Sequence, residues 1–313
     1  MKKQKLLDGI NRLRKERNAI ILAHYYQEED IQALADFVGD SLALAQWAAK
    51  TDAPVLVVCG VHFMGETAKI ICPEKTVLIP DAKAGCTLAD SCDAEAFRRF
   101  TEAHPDHTVI SYVNTTAAIK ALTDIVVTST NARQIVESLP ADTPIIFGPD
   151  RNLGSYISRI TGRDMLLWDG ACIVHDRFSA RKIQQLHEQY PDAVVLAHPE
   201  CRPDVLQLAD VVASTSGLLN YVVKHPERKQ FIVTTETGIL YKMKQQCPDR
   251  TYFPAPAVDG HCGICRDMRR NTLEKLYTCL RDLTPAVTVD ESLAGRALQP
   301  IRKMLDISAQ LGL

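Results

Sequence analysis

Three pairs of polar residues, His24 and Tyr26, Tyr112 and Asn114, His198 and Glu200, each have members two positions apart. Imidazole, phenol and carboxylate exchange protons, and an amide donates and accepts hydrogen bonds. Twelve residues after the first member of each pair stands an aspartate: Asp36, Asp124, Asp210. Five residues further on stands a hydroxyl: Ser41, Ser129, Thr215. The aspartates are 88 and then 86 residues apart, so the chain writes one pattern three times.

Each hydroxyl follows an apolar run and opens a helical pattern, as in SLALAQWAAK. Two readings stand side by side. Ser and Thr are ordinary N-caps. A helix start also offers free N–H groups and a positive dipole end to carboxylate or phosphate. Three such ends directed at one region suit a ligand with several anionic groups. The aspartates instead begin a short strand at its amino end, away from that region, and are structural.

Ten cysteines are present. Cys86, Cys172 and Cys265 each close one copy, 86 and 93 residues apart. Cys59 and Cys279 fall in apolar patterns and read as buried thiols, and Cys201, next to Glu200, reads as packing. The Cys262-Gly-Ile-Cys265 pair suits half a zinc site or a redox dithiol, and Cys262 is also readable as a spare thiol. Three thiolates brought together suit zinc or an iron–sulfur cluster. A 4Fe–4S cluster with three protein ligands keeps one iron open, a Lewis acid suited to dehydration.

The elements that must carry these residues are legible in the same register. Each copy reads strand, helix, strand, helix, strand, helix, strand, cysteine. The strands are Val/Ile/Leu-rich without alternation, as when both faces are covered, and helices alternate with them. The expected fold class is α/β: three pseudo-threefold-related three-layer α/β domains, each with a small parallel sheet, around a central active site. The expected boundaries are 1–86 with 266–313, 87–172, and 173–265. In open parallel sheets ligands bind beyond the carboxyl ends of the strands, where every paired residue falls. The stretches after Cys265 form helices that pack back on the first domain, the last one interrupted by Pro300.

Composition sets the outer limits. The chain has 313 residues, 46% hydrophobic, with net charge −2. No basic stripe with interleaved aromatics marks it for nucleic acid. No run of 18 apolar residues marks a membrane span. The start has basic residues but no apolar leader core or cleavage site, so the expected location is cytoplasmic, where ten cysteines are no disulfide framework.

LAHYYQ, GDSLALA, VHFMGETAKI, PDAKAGCTLADSC, YVNTTAAIKALTD, TSTNA, FGPDRNLG, AHPEC and CRDMRRNTLEKL run through nearly the whole chain. Together they make it resemble the quinolinate synthase family, 4Fe–4S enzymes of de novo NAD biosynthesis. The resemblance implies three related α/β domains with the cluster at their interface. It implies condensation of iminoaspartate, supplied by L-aspartate oxidase, with dihydroxyacetone phosphate to give quinolinate, phosphate and water. It implies Cys86, Cys172 and Cys265 as cluster ligands. His24, Tyr26, Tyr112, Asn114, His198 and Glu200 would contact substrate, and Ser41, Ser129 and Thr215 would bind carboxylate and phosphate oxygens. Tyr26, Tyr112, His198 and Glu200 carry the catalytic roles, with Tyr26 exchanging protons and Glu200, its pKa raised by enclosure, as general base. Some family members have a further cysteine where this chain has Asp259. An oxygen- or redox-sensing iron–sulfur protein and a zinc-bound structural or dithiol protein are the competing classes.

Overall fold

A computed structural model describes residues 3–313. The first copy comprises α1 (Lys3–Glu16), β1 (Ala19–His24), α2 (Glu29–Leu34), β2 (Phe37–Gly39), α3 (Ser41–Lys50), β3 (Val55–Cys59), α4 (His62–Ile71) and β4 (Thr76–Leu78). The second comprises α5 (Thr87–Ser91), α6 (Ala94–Glu102), β5 (Thr108–Tyr112), α7 (Ala117–Lys120), β6 (Ile125–Val127), α8 (Ala132–Ser138), β7 (Ile145–Gly148), α9 (Arg151–Thr161) and β8 (Met165–Leu167). The third comprises α10 (Ala180–Gln189), β9 (Val194–Ala197), α11 (Pro203–Leu206), β10 (Val211–Val212), α12 (Thr215–Lys224), β11 (Gln230–Thr234), α13 (Ile239–Gln246) and β12 (Thr251–Pro254), followed by α14 (Leu273–Asp282) and α15 (Glu291–Gln310).

The three four-stranded sheets share one order: β2-β1-β3-β4, β6-β5-β7-β8 and β10-β9-β11-β12. The fold is α/β with parallel sheets, as the alternation of elements predicts. In each sheet the chain leaves the first strand to one side, then returns to its other side. That reversal opens a crevice at the carboxyl ends of the two central strands. Ala23 pairs with Cys59, Ser111 with Gly148, and Ala197 with Thr234. His24, Tyr112 and His198 therefore stand at the same place in three crevices.

Two aspartates of the repeat, Asp36 and Asp210, have the structural task expected of them. Asp36 donates its N–H to the Ile21 carbonyl (2.9 Å) and its carboxylate accepts the Ile21 N–H (2.8 Å). Asp210 makes the same two bonds with Val195, at the same distances. Each extends a ladder by one residue at the amino end of a short strand.

Two compact units divide the chain. The first comprises the described residues up to Arg98, Val113–Val126 and Arg266–Asp306. In its core, Leu6, Ile10 and Leu13 of α1 and Leu273, Leu276 and Leu280 of α14 cover Ile21 of β1 and Val57 of β3. The helix after Cys265 thus packs on the first sheet, as expected. The second unit comprises Arg99–Tyr112, Val127–Cys265 and Ile307–Leu313. One of its cores gathers Phe178, Ile183, Val195, Val205 and Ile232. Gly263 lies so close to this core that a Cβ there would meet Phe178 Cζ at 2.4 Å. The helix α15 runs through Pro300 rather than stopping at it.

Candidate active site

In the first unit, the turn after β1 is tied to itself. His24 is buried, and its Nδ1 accepts the Tyr26 N–H at 3.1 Å. A ring nitrogen that accepts a backbone N–H carries no proton, so a neutral His24 is protonated on Nε2. The Tyr26 ring stands edge-on to the imidazole, 4.5 Å between centroids. Buried Gln32 donates to the carbonyls of Tyr25 and Gln27 and fixes the turn from behind.

Ser41 is the first residue of α3, not its cap. Asp40 caps the helix by accepting the Ala43 N–H at 3.0 Å. Asn114 follows β5 in a turn held by Lys120. The fully buried ammonium of Lys120 donates to the carbonyls of Val113 (2.9 Å) and Thr115. Burial lowers this amine to about 8, against the opposing pull of Glu66 and Cys86. Asn114 Oδ1 is buried and accepts no hydrogen bond from the described residues. Such an acceptor is costly to leave unmatched, which marks it as a contact for a ligand.

The second unit holds a denser arrangement. Glu200 is buried between two imidazoles and a phenol. Tyr112 donates its hydroxyl to Glu200 Oε1, and His175 Nδ1 lies 2.8 Å from Oε2. His198 Nδ1 accepts the Glu200 N–H at 3.3 Å, which repeats the His24–Tyr26 turn. The proton of a neutral His198 is then on Nε2, which donates to Ser129 Oγ at 3.2 Å. The rings of His175 and His198 stack at 4.7 Å. His175 Nε2 meets Thr235 Oγ1 at 2.9 Å, and Nδ1 also lies 3.3 Å from Cys172 Sγ. Thr215 is buried at the first position of α12, behind the Ser214 cap.

The electrostatics correct one expectation. Burial pushes the Glu200 carboxyl up, but electrostatic attraction to the imidazoles of His175 and His198 and the hydrogen bonds from His175 and Tyr112 outweigh it. Glu200 stands well below the usual carboxylate range, not above it, because its enclosure is made of donors. The raised carboxyl is a neighbour, Asp150, pushed up by burial and then by the charge of Glu200.

The helix-end reading also needs correction in one copy. α8 begins at Ala132, three residues beyond Ser129. Asn131 fills the cap position, but its Oδ1 is turned back to the Thr128 N–H at 2.6 Å. Ser129 is thus a partner of His198 rather than a helix start. His175 escaped the sequence reading altogether. Its signal was Cys172-Ile-Val-His175, a thiol and an imidazole three residues apart.

The cysteines separate into two kinds. Cys59, Cys72, Cys92, Cys201, Cys247 and Cys279 are buried. Burial raises the thiols of Cys59, Cys72, Cys92, Cys201 and Cys279, with Cys92 and Cys279 at about 12, so these five are unsuited to ligation. Cys86, Cys172, Cys262 and Cys265 are the half-buried ones. Partly open thiols at the ends of the copies fit thiolate ligation of a soft metal or an iron–sulfur cluster. Cys172 Sγ, a His175 nitrogen and a Glu200 oxygen also lie within 4.8 Å of one another, a donor group able to hold a metal ion.

The family described as quinolinate synthetase A protein, NadA, matches residues 8–306. The chain belongs to the NadA family. It is 55% identical over 304 residues to the quinolinate synthase of Microcystis aeruginosa, covering 97% of this chain and 95% of the relative. It is 54% identical over 303 residues to that of a Synechococcus strain, covering 96% and 94%. It is 53% identical over 306 residues to that of Cyanophora paradoxa, covering 97% and 93%. A NadA-family chain this close to curated quinolinate synthases is an enzyme of that kind. Among the described residues, no helix is long and apolar enough to cross a membrane.

Proposed function

We propose that the chain condenses iminoaspartate with dihydroxyacetone phosphate to form quinolinate, phosphate and water, in the cytoplasm, on iminoaspartate delivered by L-aspartate oxidase. The observation that carries this reading is the buried chain Tyr112–Glu200–His175, which joins proton-exchanging groups to the thiol of Cys172. The three copies, 1–86 with 266–313, 87–172 and 173–265, act as three domains that each supply one cysteine. Cys86, Cys172 and Cys265 would hold a 4Fe–4S cluster. When bound, the cluster supplies an iron without a protein ligand as a Lewis acid for dehydration.

The protein's own groups divide the remaining work. Glu200 stays ionised near neutrality and accepts a proton as a weak base made effective by position. Tyr112 and His175, bonded to it, hold its two oxygens in place. His198 offers its Nε2 proton, held toward Ser129. Tyr26, braced against His24, donates and accepts a proton in isomerisation and ring closure. Asn114 supplies an unmatched acceptor. Ser41 and Thr215, each at the first position of a helix, and Ser129 bind carboxylate and phosphate oxygens.

The test is anaerobic assay of quinolinate from the two substrates, with L-aspartate oxidase generating iminoaspartate, beside iron, sulfide and zinc analysis of the same sample. Quinolinate with about four iron and four sulfide per chain supports the reading. The Cys172–His175–Glu200 group favours a second reading, one metal ion in place of a cluster. That ion would have to break the His175–Glu200 bond, and zinc without sulfide would be its signature.

A further inference from the structure

Each copy closes its cysteine loop with the same strap. The N–H groups of His62, Arg151 and Thr237 donate to the carbonyls of Ala84 (2.7 Å), Gly170 (2.8 Å) and Gly263 (2.9 Å). Each accepting residue stands two positions before a cysteine: Cys86, Cys172, Cys265. The residue just before each donor stands two positions past the last paired residue of its central strand. It is Val61 in the first copy, Asp150 in the second and Glu236 in the third.

Both acids are fully buried. Asp150 Oδ2 accepts the Cys172 N–H at 3.0 Å, and Glu236 Oε1 accepts the Cys265 N–H at 3.3 Å. The second oxygen of each is tied to the start of the next helix: Asp150 Oδ1 accepts from Leu153 (2.8 Å) and Glu236 Oε2 from Gly238 (2.6 Å). With both oxygens engaged, neither carboxylate can swing away.

Packing does not demand an acid here. The first copy closes the same backbone strap with Val61, and a buried carboxylate is costly unless its bonds serve a purpose. The structure assigns Asp150 and Glu236 as positioning residues that set the backbone of Cys172 and Cys265, and so the direction in which each thiolate points. A second consequence concerns the N–H itself. Tied to a carboxylate, it cannot turn to a cluster sulfur, and hydrogen bonds to those sulfurs tune the cluster. The assignment rests on the proposal that Cys172 and Cys265 are ligands.

The test uses full-length Asp150→Asn and Glu236→Gln proteins. An amide keeps the shape but only one acceptor oxygen, so it cannot accept both the helix-start N–H and the cysteine N–H that the carboxylate holds. Iron is removed anaerobically with a chelator, and Cys86, Cys172 and Cys265 are alkylated over time and counted by peptide mass spectrometry. Asp150→Asn should speed Cys172 up to roughly tenfold, as loss of one hydrogen bond implies, and leave Cys265 unchanged. Glu236→Gln should do the reverse. No change in either variant, or an equal rise at both cysteines, overturns the assignment. Should Asp150→Asn fail to fold, Asp150→Ser keeps one cap oxygen and gives the same reading. Wild-type protein without iron and sulfide would sink the ligand proposal instead, and the alkylation pattern would still decide the strap.

Discussion

The two units hold their polar residues in opposite settings. In the second, Glu200 is surrounded by its own partners: Tyr112, His175 and His198 are bonded to it or to its backbone, and all four residues are buried. In the first, Tyr26, Ser41 and Asn114 are half-buried, and Asn114 Oδ1 accepts nothing from the described residues. A network wired in advance suits groups that move protons, because geometry and charge are set before substrate arrives. The unmatched Asn114 Oδ1 suits recognition, because its bond is completed only by the ligand. The repeat supplied one scaffold, and the two units furnish its strand ends differently.

Four variants would break or sharpen that contrast. The largest effect is expected from Cys172→Ser: loss of most iron and of turnover, with melting temperature within a few degrees of wild type, read by metal analysis and calorimetry. A Cys172→Ser protein with full iron would remove the cysteine from the ligand set. Next comes Glu200→Gln, expected to lower kcat by about 10²–10⁴.

Glu200 also gives the second unit a pH signature. Its carboxyl is depressed in the folded protein, so its contribution to stability is complete above its ordinary value of 4.5. That contribution is lost as pH falls below 4.5 toward the folded value, because the unfolded chain takes up the proton first. Melting temperature against pH should therefore fall less steeply below pH 4.5 in Glu200→Gln than in wild type. Parallel acid limbs would show that the network is not wired as described.

Tyr26→Phe keeps the ring packed on His24 and should lower turnover by about 10²-fold with iron content unchanged. Matching losses of iron and activity would move Tyr26 from chemistry to structure. The smallest effect belongs to Asn114→Ala. It should raise KM roughly tenfold, as loss of one or two hydrogen bonds does, with no loss of thermal stability. Destabilisation there would mean that Asn114 is already matched within the protein.

Periodicity in sequence disclosed the three sheets, the strand-end pairs and the structural task of Asp36 and Asp210, because all three depend on local register. What stayed hidden depends on residues far apart in the chain. The depressed carboxyl of Glu200 needs Tyr112 and His175, and the tie on Cys265 needs Glu236. Ser129 was misread for a different reason: where a helix starts depends on which way Asn131 turns, and Thr128 decides that. His175 was legible, three residues from a cysteine, but a lone imidazole carries little weight until its neighbours are known.

The packing of α14 beside α1 has a consequence for biosynthesis. On the ribosome, β1 and β3 emerge before the whole of the second and third copies, and Leu273, Leu276 and Leu280, which help cover their sheet, emerge only after those copies. The first sheet must therefore hold an incomplete layer while the second and third copies are made. Its folding is a long-range closure, slow and open to aggregation by comparison with local folding. A chain truncated before Leu273 would leave that sheet bare on its α14 side, however intact the later copies are.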